Sequence, residues 1–278
     1  MGFRNRVPIA YRVHRIVFAL LLLLNLYPIV WLILNSFKTE KELSLNPVGL
    51  PKELLWSNYA QAWKTAHLGT YFLNSLVAAI PAVLITLLIG ALGAFFISRF
   101  EFKFKGAVLL YLSLGMLIPI QAMLVPLFIE MRIFGLLDAW FTLWFPYVAF
   151  NLSITVFILV GFMNSFPREV EEAAIIDGCG IMGIFSRIIL PTLLPALATG
   201  FVLNFLYNWN DFSFALVLIN DDKLKTLPLG LANFSGAFNR SYSVQMAAIT
   251  LVLVPTLRFY VSVQKYITSG MTAGAVKG

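Results

Sequence analysis

Five side-chain amides, a carboxylate and a phenol stand inside long uncharged runs: Gln121, Asn151, Asn204, Asn208, Asn210, Asp211 and Tyr207. Polar groups inside such runs are costly and often mark function. Amides hydrogen-bond hydroxyls, and aromatic rings cover the apolar faces of a pyranose, so the set suits a sugar. Ser153 and Thr155 extend it. The same groups can equally tie one helix to another, and Asp211 can pair with a cation near an interface. Covalent chemistry has no comparable basis. His14 and His67 are the only histidines and Cys179 the only cysteine, so an internal disulfide and a Cys-based zinc site are both excluded. HExxH, GxxxxGKS/T and GxSxG motifs are absent, so catalytic residues and metal ligands are expected to be none.

The elements that must position these groups follow from composition. Hydrophobic residues make up 60% of the 278 positions and charged residues only 12%, about half the charged share of a soluble domain. Six uncharged runs are each long enough to cross a hydrocarbon core of about 30 Å as a helix. They lie near Ile16 to Phe37, Tyr71 to Ser98, Gly106 to Ile129, Ala139 to Met163, Leu193 to Ile219 and Ser243 to Ile267. Backbone groups find no water in lipid, so runs of this length must be helical. An all-α polytopic membrane protein with six transmembrane helices is expected. The first run is too long for a secretory h-region and lacks a small-residue cleavage pattern, so it is expected to be a retained span.

Charge sets the expected orientation. Arg4, Arg6, Arg12 and Arg15 precede the first run, Arg99, Lys103 and Lys105 follow the second, and Arg168 and Arg187 flank a third cluster. Basic residues in short loops favour the cytoplasmic side, which places both termini there. The net charge of +7 is thereby explained without nucleic acid.

Between the fourth and fifth runs lies a segment of different character. Pro167 suits the first turn of a helix, and Glu169, Glu171 and Glu172 suit its positive end. The helix should break at Gly178-Cys179-Gly180. A second short stretch, Ile181 to Leu190, sets Ile181, Ile184, Phe185 and Ile188 on one face before Pro191 opens the next span. Two short helices at an angle would result. Ala173, Ala174 and Gly178 leave one side nearly bare for a partner, with Glu172 and Asp177 as anionic anchors. Helices that lie on a membrane surface usually present Lys and Arg, so acidic residues here favour a protein partner over lipid. The six runs do not divide into two similar halves, unlike many secondary transporters, so another chain should supply the rest of a pathway.

These residues carry a resemblance. Glu172-Ala173-Ala174, Gly178, Ile188, Leu190 and Pro191 match, without a gap, the signature loop of binding-protein-dependent ABC importer permeases. The likeness continues through Asn208-Trp209-Asn210-Asp211. It ends in Gly270-Met271-Thr272-Ala273-Gly274 and the residues after them, a tail similar to that of the smaller permease of maltose and multiple-sugar importers. The resemblance implies a type I importer fold in a bacterial cytoplasmic (inner) membrane. It implies a second, larger permease, two ATPase subunits that bind ATP and Mg, an extracytoplasmic sugar-binding protein, and no cofactor in this chain. Glu172, Ala173, Ala174, Asp177 and Gly178 would enter a cleft of the ATPase, and the tail would reach the interface between the ATPases. Residues 1–69 would form the amino-terminal arm, first span and extracytoplasmic loop, 70–265 the core, and 266–278 a cytoplasmic tail. The polar loop from Asn220 to Tyr242 has the position of the family's binding-protein contact.

A self-contained secondary transporter or channel would instead need paired repeats or ion-coupling carboxylates, for which only Asp211 is a candidate. A membrane enzyme would need a catalytic constellation. Co-purification with an ATPase separates the importer from both.

Overall fold

Helix is the only regular secondary structure among the described residues, as unpaired backbone groups in lipid require. The computed structural model describes the backbone of residues 9–65, 67–237 and 241–275 and the side chains of 14–65, 67–232 and 241–262. In chain order the helices are α1 (Ile9–Ser36), α2 (Glu40–Leu45), α3 (Ser57–Thr65), α4 (Leu68–Arg99), α5 (Lys105–Gly115), α6 (Ile120–Ile133), α7 (Trp144–Ser165), α8 (Glu169–Ile176) and α9 (Ile181–Ile184). A π turn (Phe185–Ile189) leads into α10 (Leu190–Thr192), α11 (Leu194–Trp209) and α12 (Ser213–Leu218). A 3-10 turn (Asp222–Leu224), α13 (Leu227–Ala237) and α14 (Tyr242–Ala275) complete the described chain.

Four helices are long and apolar enough to cross a membrane unaided, within α1, α4, α7 and α14. Six spans result only if each of two bent pairs counts as one. The third run bends by 100° between α5 and α6, because Pro119 has no N–H to continue the helix and holds its own backbone extended. The run from Leu193 to Ile219 is not the single helix expected: it stops at Trp209 and restarts at Ser213. Asp211 accounts for the break. Its carboxylate accepts from the N–H groups of Phe214 and Ala215, both at 3.2 Å, and so satisfies the first turn of α12.

The region from Asn220 to Tyr242, read as a flexible polar loop, contains a 3-10 turn and the 11-residue α13. Leu227 and Leu229 are buried, so apolar spacing outweighs the glycines there.

The described chain forms two compact units. One comprises residues 1–68 and 233–256. Within it Asn58 closes the end of α1, its Nδ2 donating to the carbonyls of Ser36 (2.8 Å) and Lys38 (2.9 Å). Phe37, Trp56 and Tyr59 pack ring to ring over that junction. Lys38 is fully buried, with Nζ donating to the Asn46 carbonyl at 2.8 Å. None of the most apolar stretch of α1 is buried, so lipid or another chain must cover it.

The other unit comprises residues 69–232 and 257–278 and holds the elements of interest. Its α4 and α7 approach closely at Gly90, where a Cβ would meet Thr155 Cγ2 at 2.8 Å. Small residues permit this approach.

Candidate functional site

Three consecutive positions of α8 differ in fate although two are the same residue. Glu172 and Ala173 face outward, whereas Glu171 is only 8% exposed. Glu171 accepts from Arg99 Nε at 2.7 Å, which ties α8 to the last residue of α4. The helix begins at Glu169 with Arg168 at its cap, so Pro167 precedes the first turn. It ends as glycine dictates. Gly178 has φ +82°, its N–H bonds to the Ile175 carbonyl, and the N–H of Cys179 bonds to that of Ala174, both at 2.9 Å. This paired closure needs a left-handed residue just past the helix, and nothing lies within 4 Å of where a Cβ would stand. Glycine is required by the backbone, not by space.

The second arm departs from the expected phase. Ile184, Phe185 and Ile189 are buried, Ile188 is half-buried and Ile181 is 61% exposed. The π turn explains the shift. The N–H of Leu190 reaches the carbonyl of Phe185 five residues back, which inserts a residue into the periodicity and brings Ile189 inward where a regular helix would bring Ile188. Leu190 and Ala174 pack partly against a core of Ala91, Ala94, Phe95, Leu159 and Met163, while Pro191 is exposed. The outer face therefore presents Ile175, Ile176, Ile181 and Met182 beside Glu172, Asp177 and Gly178.

The polar residues of the spans fall into two groups. Asn151 Nδ2 donates to Asn208 Oδ1 and Asn204 Nδ2 to Thr155 Oγ1, each at 2.8 Å and each buried. Tyr147, which the sequence reading missed, donates its hydroxyl to Asp211 Oδ2 at 3.0 Å. Tyr147, Asn151 and Thr155 recur every fourth residue, a spacing that places all three on one helical face and was available as a signal. Together these groups form a ladder between α7 and α11 with the break that follows it. Asp211 makes no ion pair among the described residues, so the expected cation is replaced by a hydroxyl and two backbone N–H groups. Asp211→Ala should destabilise the protein by about 1–2 kcal/mol and Asp211→Asn by less, since an amide oxygen in place of Oδ2 keeps the bonds from Tyr147 and Ala215 and loses only the one from Phe214; thermal unfolding in detergent measures both.

Gln121, Tyr207 and Asn210 stand outside the ladder and are exposed. The amide of Asn210 turns back to the Leu206 carbonyl. Asn208 Nδ2 is buried without a partner, which leaves one costly donor in the ladder.

A further carboxylate shapes the turn before α13. Asp138 takes a left-handed φ of +52° and accepts from the N–H groups of Asn220 and Asp221. Partial burial pushes its carboxyl up, but those N–H bonds outweigh it and hold the group below the usual carboxylate range. Of the tail, Gly270, Met271, Thr272, Ala273 and Gly274 have their backbone within α14 and their side chains outside the described residues. Val276, Lys277 and Gly278 lie outside them altogether. No group of three or more potential metal ligands occurs among the described residues.

Comparison with known proteins gives this geometry its setting. The chain is 34% identical over 252 residues to a probable ABC transporter permease of Bacillus subtilis, YurM, covering 91% of this chain and 84% of that one. It is 34% identical over 266 residues to the sulfoquinovosyl glycerol permease SmoH of Agrobacterium fabrum, covering 95% and 93%. It is 32% identical over 277 residues to the trehalose/maltose permease MalG of Thermococcus litoralis, covering 98% and 99%. A chain of a bacterial ABC transporter involved in import of the acidic polysaccharide alginate superposes with TM-score 0.80 at 25% identity, over 96% of this chain and 99% of that one. Residues 86–272 match the family described as the inner membrane component of binding-protein-dependent transport systems. With this match over two thirds of its length, the chain belongs to that family of membrane transport permeases.

Proposed function

We propose that this chain is one permease subunit of an ATP-driven importer of a sugar or oligosaccharide, forming half of the translocation pathway. The carrying observation is the elbow. Its inner face is locked to the chain's own core, while its outer face offers Ile175, Ile176, Ile181 and Met182 with Glu172 and Asp177 at the edge. Exposed apolar groups rimmed by charge mark a protein contact. The occupant is an ATPase subunit, one of two, which binds ATP and Mg and closes on them. Glu172, Ala173, Asp177 and Gly178 meet its cleft, while Ala174, Ile188, Leu190 and Pro191 hold the elbow's shape. Residues 270–274 extend toward the ATPase pair from a cytoplasmic tail of residues 266–278.

A second, larger permease completes the pathway, and an extracytoplasmic binding protein delivers the substrate. Support for a sugar comes from relatives named for trehalose/maltose, melibiose/raffinose/stachyose and diacetylchitobiose. Among the polar groups, the exposed Gln121, Tyr207 and Asn210 are the ones open to a hydroxylated ligand; Asn151, Asn204, Asn208 and Asp211 shape the wall behind them. The protein is assigned to a bacterial cytoplasmic membrane with both termini inside, following the basic loops. Residues 1–69 form the arm, first span and outer loop, and 70–265 the core.

The test is uptake of a labelled oligosaccharide panel into vesicles carrying all subunits, with ATP inside and binding protein outside. Uptake that needs every component is expected. Uptake by this chain alone, driven by an ion gradient, would overturn the reading.

A further inference from the structure

The end of α4 is held to the elbow by bonds running in both directions. Arg99 gives Nε to Glu171 at 2.7 Å and Nη2 to the Phe166 carbonyl at 3.4 Å. Arg168, on the other side, gives Nη2 to the carbonyl of Ser98 at 3.2 Å. The Arg99 and Glu171 side chains are only 7% and 11% exposed. Next to this clamp, Phe95 of α4 meets Phe185 of the second arm with ring centroids 5.3 Å apart and Phe100 at 5.9 Å. Ala91 and Ala94 join the same apolar cluster as Ile184 and Ile189.

A buried ion pair is a poor device for stability alone, since desolvation offsets much of the attraction and well-packed apolar residues hold as firmly. What it supplies is a fixed distance and direction, because the guanidinium meets a carboxylate in a set geometry. The covalent route from α8 to α11 is less direct. It passes through the Gly178 turn, the π turn and a 69° bend. Apart from the three-residue link 166–168 from α7, the direct connection between α8 and the bundle is the pair at the end of α4.

We infer that Arg99 and Glu171 are a positioning pair that makes α4 the helix driven by the elbow, converting movement of α8 into movement of α4. This rests on the ATPase-docking reading of the elbow. The apolar contacts seat the elbow, and the ion pair sets the angle at which α4 follows it. α4 in turn carries Gly90 against Thr155, a member of the ladder, so displacement at Arg99 is passed to the polar wall through close-packed groups.

The test uses the full complex in lipid nanodiscs and hydrogen exchange read at two peptides, residues 95–99 and 169–176. Each is measured without nucleotide and after trapping with Mg-ATP and vanadate. In the unaltered complex both peptides should change exchange on trapping, by about tenfold, the scale of a typical coupling between sites. In Arg99→Met with Glu171→Met, which keeps the site filled without charge, residues 169–176 should still respond while the response at 95–99 is lost. The reversed pair, Arg99→Glu with Glu171→Arg, should restore it; where that pair fails to accumulate, Arg99→Lys serves as the charge-retaining variant. A response at 95–99 that survives in the methionine pair, or stays lost in the charge-retaining variant, overturns the inference. Silence at 169–176 in the unaltered complex, with vanadate trapped, instead overturns the docking reading itself.

Discussion

Glu172→Lys is expected to leave the protein folded in the membrane while cutting coupled uptake by about tenfold or more, the scale of a typical coupling between sites. Folding should survive because Glu172 is exposed and forms no ion pair among the described residues. Its local role is confined to the first turn of α8, where a reversed charge costs about 0.3–1 kcal/mol against the helix dipole. At the proposed docking face the consequence is larger, because there an anionic anchor would become a cation in a desolvated contact. The measurement is ATPase rate in the reconstituted complex, with and without loaded binding protein. Loss of stimulation with normal subunit recovery is the expected result, and stimulation equal to the parent would refute it. The contrast with Glu171 is instructive. Loss of that neighbour would strand Arg99, a buried cation, and so reduce stability as well as coupling.

A second large effect is expected at Gly178. Valine there must adopt a left-handed backbone at φ +82°, which costs an L-residue about 1–2 kcal/mol and a β-branched one more. Nothing lies within 4 Å of the new Cβ, so the strain is that of the backbone and is relieved by opening the turn. Opening it releases the bonds from Gly178 to Ile175 and from Cys179 to Ala174, and the second arm swings away from its set angle. Gly178→Val should therefore reduce uptake by about tenfold at near-normal abundance, in line with a coupling of ordinary size. Gly178→Asn should retain most of it, because asparagine tolerates that conformation. Uptake assays beside quantified membrane abundance decide the matter, and a valine variant that transports like the parent would show that this turn does not set the elbow.

The limits of the sequence reading are visible at single residues. The break between the two arms was legible because two glycines flank it, and glycine writes its backbone requirement into the sequence. Which acidic residue points outward was not. Glu171 and Glu172 are chemically identical, and the partner that selects Glu171 is Arg99, 72 positions away. The same holds for the second arm, where a regular period places Ile188 inward and the π turn substitutes Ile189. Asp211 was read as a polar group within one long helix, yet it ends that helix and begins the next, because a carboxylate competes well for free N–H groups. Gln121 and Asn151 looked alike in their runs. One is exposed and the other buried in the ladder, a difference made by neighbouring helices and not by local sequence.

The ladder has one more property, which concerns register. Tyr147, Asn151 and Thr155 recur at intervals of four, and so do Asn204 and Asn208 on the antiparallel partner. Sliding one helix past the other by a single turn, about 5.4 Å, would set Tyr147 against Asn208 and Asn151 against Asn204. Donors would again meet acceptors there, whereas half a turn would leave them facing apolar surface. Hydrogen bonding alone thus allows discrete alignments one turn apart and disfavours those between. The choice falls to shape, through the buried bulk of Phe214 and Leu218 beyond one end and the bare surface of Gly90 near the other.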